Sequence, residues 1–166
     1  MVLGRPNVPH MASANDIVGL VKAAKYKKDP AVREEARAAL TEKVDLLVQQ
    51  LASKHLPHVF SARDALVIVG EPARDRLIFI VQNGHVHRRQ DAAFVLGMMG
   101  DPVAVKPLCV AMHNPDSMLR MIIVEALGKI GDPAATDTLR RAVGDPEARI
   151  SKAAQKALRQ VASPGS

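Results

Sequence analysis

Three Asp–Arg pairs share a four-residue spacing: Asp29/Arg33, Asp116/Arg120 and Asp145/Arg149. A carboxylate and a guanidinium one helical turn apart could orient a proton-transfer site. Two histidines, His55 and His85, fall at matching positions of a repeat described below, with His58, His87 and His113 near the same edge. Imidazoles in such a row could hold a metal ion weakly or titrate near neutral pH. No carboxylate completes a ligand set and no His-Glu dipeptide occurs, so His55 and His85 are weak metal candidates and no metal is expected. The one cysteine, Cys109, lies in the apolar run 105–112 and reads as a small buried hydrophobe. A lone cysteine makes neither an internal disulfide nor a multi-cysteine metal site. The glycines stand as Gly-x-x-Gly helix stops and not as a phosphate loop. Neither a nucleophile elbow nor a zinc motif is present. The expectation is a chain with no catalytic residue and no cofactor.

The elements that position these residues are read from composition and periodicity. Of 166 residues, 48% are hydrophobic and 24% charged, which suits a folded globular chain, yet only 2% are aromatic. Phe60, Phe79, Phe94 and Tyr26 are the whole aromatic set. Packing by small aliphatic side chains predicts thin, closely stacked helices and disfavours a base-stacking platform for single-stranded nucleic acid. The net charge of +6 leaves nucleic acid or an acidic partner open. No apolar run reaches membrane-spanning length, and residues 1–15 hold no apolar signal core. A cytoplasmic location is therefore expected, with a flexible leader over 1–15 and a loose tail over 162–166.

Three segments align at offsets of 30 and 31 residues. They are Ala65-Leu66-Val67-Ile68-Val69-Gly70-Glu71-Pro72, Val95-Leu96-Gly97-Met98-Met99-Gly100-Asp101-Pro102 and Ala126-Leu127-Gly128-Lys129-Ile130-Gly131-Asp132-Pro133. Each closes an apolar helix pattern with Gly, an acid and Pro. Gly accepts the left-handed cap, and Pro stops one helix and starts the next. The intervening i, i+3, i+4, i+7 spacing is helical throughout. The predicted fold is all-α, a right-handed α-solenoid of about five stacked antiparallel helix pairs. The pairs fall over 16–40, 43–69, 73–97, 103–128 and 134–161, in one repeat domain over 16–161. Residues 31–52 fit either one helix or two.

The pattern Arg-x-x-x-x-x-Ala-Leu-Gly-x-x-Gly-Asp-Pro, over 89–102 (Val95 in the alanine slot) and 120–133, resembles the HEAT-like repeats of phycobilisome lyase subunits. The resemblance covers roughly residues 16–161 and is specific for fold and weak for function, because such repeats serve many scaffolds. It implies that Asp29, Arg33, Arg89, Asp116, Arg120, Asp145 and Arg149 form an inter-repeat hydrogen-bond ladder. It also implies that the second helix of each pair lines a concave face. The missing His-Glu pairs count against the di-iron hydroxylase built on similar repeats.

Partner-facing positions on those second helices are Phe60, Arg63, Gln90, Phe94, Met121, Val124 and Glu125. A bare solvent face would be polar there, so the apolar members mark either a central binding strip or positions buried by the stacking. Basic residues cluster near the start (Lys22, Lys25, Lys27, Lys28) and the end (Arg140, Arg141, Arg149, Lys152, Lys156, Arg159). The function expected is a non-catalytic protein–protein interaction scaffold or adaptor, a monomer or homodimer with another protein as partner and no membrane association. The alternatives are an accessory subunit of a bilin lyase or similar modifying enzyme, and a nucleic-acid-associated scaffold.

Overall fold

The computed structural model describes residues 5–162, and every regular element among them is helical. None of these helices is long and apolar enough to cross a membrane. The chain falls into two compact units, residues 1–73 and 74–166, where the sequence suggests one repeat domain.

The first unit holds α1 (Val8–Ser13), α2 (Ile17–Ala24), α3 (Pro30–Thr41), α4 (Val44–Gln50) and α5 (Leu56–Val69). The helix α1 corrects the expected flexible leader. Asn7 accepts from the His10 amide at 3.1 Å, Pro9 sits in the first turn, and buried Val8 faces the core. A side-chain cap and a prolyl first turn together nucleate even a short helix when its apolar residue is buried. Asp16 caps α2 and Asp29 caps α3 in the same way. The chain breaks at Glu42 and Lys43, so residues 31–52 form two helices. Lys43 donates to Asn15 at 2.7 Å and pins that corner. The core is drawn from Leu20, Val32, Leu40, Leu47 and Leu66.

The helix α6 (Glu71–Asn83) leads into the second unit, which continues through α7 (Val86–Met99), α8 (Val105–Ala111), α9 (Ser117–Ile130), α10 (Thr136–Ala142) and α11 (Ala148–Ala162). The Gly-acid-Pro segments act as their chemistry predicts. Gly100 and Gly131 take left-handed φ values of 69° and 72°. Asp101 and Asp132 then cap the 3-10 turns Pro102–Ala104 and Pro133–Ala135. The helices α7, α9 and α11 stack side by side, with α8 behind α9 and α10 behind α11. The stack is close because Gly97 meets Ala126 and Gly128 meets Ala157 at the two crossings. The expected tail is helical at Ala162, which ends α11; its remaining residues lie outside those described.

Candidate functional site

The Asp–Arg pairs first sort into structural roles. Arg120 donates from Nε and Nη2 to the two carboxylate oxygens of Asp145 at 2.8 and 3.2 Å, tying α9 to the turn before α11. It also donates to the Asn114 and Pro115 carbonyls at 3.0 and 3.1 Å, closing the loop that precedes its own helix. The bonded guanidinium holds the Asp145 carboxyl below its ordinary range, and the carboxylate raises Arg120 in turn. Arg89 departs from the expected ladder. Its Nε donates back to the Val81 carbonyl at 2.7 Å, so Gln90, one position on, reaches Asp116 at 2.7 Å instead. Burial pushes the Asp116 carboxyl up, but the bonds from Gln90 and from the Met118 and Leu119 amides, with the charge of Arg120, outweigh it and leave it lowered.

The outer members serve local needs. Arg33 donates to the Tyr26 carbonyl at 3.3 Å, and Asp29 caps α3 and pairs with Arg5 at 3.2 Å. Arg149 donates to Ser117 Oγ at 3.1 Å and lies 3.5 Å from Glu147. An ion pair absent from the sequence reading joins Arg74 to Asp101 at 2.9 Å. The bond from Arg74 draws the Asp101 carboxyl down, and that carboxylate raises Arg74. Its sequence signal is the acid of the Gly-acid-Pro segment.

The outward faces of α7, α9 and α11 form the most distinctive surface of the second unit. The 31-residue register places Gln90, Met121 and Lys152 in one row, then Phe94, Glu125 and Lys156, then Met98, Lys129 and Gln160. Met98, Met118, Glu125, Lys152 and Lys156 are exposed; Phe94, Met121 and Ile122 are half-buried. Lys129 bridges two of the helices: its ammonium lies 5.4 Å from the Phe94 ring centroid and 2.9 Å from Met98 Sδ. Such a cation over a ring face is attracted by the ring quadrupole.

Two predicted partner positions need correction. Val124 is 0% exposed. It lies on the α9 flank that carries Gly128, which packs on Ala157 of α11, so the close crossing buries it. Gln90 is spent on Asp116 and belongs to the packing. Met98, Met118 and Lys129 were missed, although the 31-residue register that pairs Met98 with Lys129 was available.

Phe60 and Arg63 lie in the first unit, on α5. Phe60 is 55% exposed, with the Arg63 guanidinium carbon 5.6 Å from its ring centroid. It lines a groove of about 310 Å³ with Val18, Val21, Lys22, Lys25, Ser61 and Asp64. Lys25 closes one side by pairing with Asp64 at 2.9 Å.

The histidines do not assemble a centre. His55 lies before α5, its ring centroid 5.5 Å from that of His58; His85 lies before α7, and neither caps its helix through the side chain. Among the described residues no group of three His, Cys, Asp or Glu side chains could hold a metal ion. Cys109 is half-buried, where full burial was expected, because α8 turns it toward a cleft of about 140 Å³ that also touches His113, Thr138 and Arg141.

A family model for HEAT repeats matches residues 76–159, just over half of the chain, and the chain belongs to the HEAT-repeat family. No curated protein shows significant sequence similarity to it. Solved structures agree on the fold. An engineered protein matches at TM-score 0.55 and 18% identity, over 95% of this chain and 84% of its own. Human deoxyhypusine hydroxylase in complex with glycerol matches at TM-score 0.57 and 21% identity, over 93% of this chain and 76% of its own. A designed armadillo repeat protein in complex with the peptide (KR)4 matches at TM-score 0.54 and 15% identity, over 96% and 87%. Identities this low speak for an α-solenoid repeat scaffold and not for an activity.

Proposed function

We propose that the chain is a non-catalytic protein-binding scaffold whose contact surface is the outward face of α7, α9 and α11. The observation that carries this reading is the set of exposed Met98 and Met118 and half-buried Phe94 and Met121 along the outward face of two adjacent helices. Apolar side chains grouped on a folded surface gain free energy when a partner removes them from water. Methionine and aromatic residues suit such a surface, the first by adapting its shape and the second by its contact area. The designed armadillo protein of similar fold is in complex with a peptide, which agrees with this use of a helical repeat face.

The test is an affinity capture with the whole chain beside the double variant Phe94→Asp/Met118→Asp. Loss of a bound protein set, with helix content and melting unchanged, supports the reading. An unchanged set overturns it.

The finer resemblance to phycobilisome lyase subunits rests on the motifs over 89–102 and 120–133. An accessory lyase role requires a covalent bilin adduct to form on an acceptor protein only when this chain is present. A nucleic-acid role, suggested by the basic cluster near the end, requires retention on random DNA that falls steeply with salt.

A further inference from the structure

We propose that this face takes an acidic linear segment of a partner protein, laid across the three helices with apolar anchors on α7 and α9 and carboxylates on α11. The proposal rests on the scaffold reading above and specifies its partner. Charge argues for it first. Arg149, Lys152 and Lys156 occupy the α11 positions that match Met118, Met121 and Glu125 of α9. Neither Lys152 nor Lys156 has a hydrogen-bond or ion-pair partner among the described residues. Lys152 and Lys156, one turn apart, with Arg149 partly neutralised by Glu147 at 3.5 Å, make a positive edge beside the apolar residues, and a complementary partner carries the opposite sign.

Glu125 sharpens the register. It is exposed in the middle of the face, where it repels a carboxylate over α9. The acidic end of the segment is thereby directed to α11. Spacing follows from the stacking. Packed helices lie about 8–10 Å apart, and a polyproline II segment advances about 3.1 Å per residue with three residues per turn, so every third side chain faces the same way. A segment slanting from Phe94 of α7 over Met121 of α9 to Lys152 of α11 therefore meets a new helix about every three residues, which gives the order apolar-x-x-apolar-x-x-acid. The apolar columns and Glu125 also disfavour a polyphosphate backbone, which needs cations along its whole track.

The test uses the full chain and fluorescently labelled synthetic peptides read by anisotropy. One peptide carries Leu-x-x-Leu-x-x-Glu-Glu, a second has Lys in place of both Glu, and a short random DNA duplex serves as the third probe. The acidic peptide should bind about tenfold or more tightly than its lysine counterpart. The double reversal Lys152→Glu/Lys156→Glu, at exposed positions that leave the fold intact, should weaken it about tenfold. Equal binding of the two peptides, tighter binding of the duplex, or no effect of the reversal overturns the acidic partner. The two readings fail separately. If Phe94→Asp/Met118→Asp strips bound proteins from the chain but Lys152→Glu/Lys156→Glu leaves acidic-peptide binding unchanged, the scaffold stands and the acidic chemistry falls.

Discussion

Gly97 of α7 lies directly against Ala126 of α9: a β-carbon on Gly97 would stand 2.6 Å from both the Cα and the Cβ of that alanine. The relationship repeats one register on, where a β-carbon on Gly128 would stand 2.8 Å from Ala157 Cβ and 2.6 Å from the flexible end of Gln160. These crossings set how near the outward rows of three helices come to one another. The replacement Gly97→Ala adds helix propensity worth about 1 kcal/mol but forces two backbones apart, at a cost of about 1–3 kcal/mol. The net change should be destabilising at Gly97 and smaller at Gly128, where Gln160 can move aside and the contact left, 2.8 Å to Ala157 Cβ, is less close than the 2.6 Å to Ala126 Cα. Thermal unfolding of the two single variants checks the order.

The Arg120–Asp145 pair should dominate the acid behaviour of the second unit. The folded carboxyls of Asp145 and Asp101 lie below their ordinary range. Near pH 4 the unfolded chain consequently binds more protons than the folded one. Their contribution is fully present above the unfolded carboxyl value of about 3.9 and is lost as pH falls through the lower folded values. Arg120, raised in the fold, stays charged throughout this window. The variant Asp145→Asn should melt lower than wild type at pH 7, and its melting temperature should fall less steeply below pH 4. Removal of the guanidinium in Arg120→Ala should cost about 1–3 kcal/mol at neutral pH, which for a chain of this size shifts melting by several degrees.

Burial separates two residues that the sequence places on the same candidate binding strip. Val124→Asp should cost more than about 3 kcal/mol, because a carboxylate would enter a closed helix flank without a partner. Phe60→Ser, at an exposed position, should stay within about 1 kcal/mol. Denaturant melts of the two variants test the distinction.

Much of the fold is readable from the Gly-acid-Pro segments, since Gly70, Gly100 and Gly131 all adopt positive φ and the acids after the latter two cap the next turn. The outward face is less readable for a physical reason. The middle helix α9 is packed by α7 on one flank, α11 on the other and α8 behind, so its apolar residues surround most of its circumference. A pattern that is apolar nearly all round fixes no phase, so the sequence alone does not separate buried Val124 from exposed Met118. At α7 the ladder slips by one residue, from Arg89 to Gln90, because the Val81 carbonyl captures the arginine. Where the last turn of α6 places the Val81 carbonyl decides that competition. At the start of the chain the cap at Asn7 and the proline at position 9 were visible, but the burial of Val8 that makes the helix worthwhile depends on α2 and α3.

The outward face of α7, α9 and α11 is the proposed surface for protein segments. Amide and methyl chemical-shift mapping during titration with the Leu-x-x-Leu-x-x-Glu-Glu peptide tests it most directly. Saturable shifts are expected at Phe94, Met98, Met118 and Met121, extending to Lys152 and Lys156. Shifts confined to Phe79 and Val110, the exposed apolar residues of α6 and α8, would contradict it.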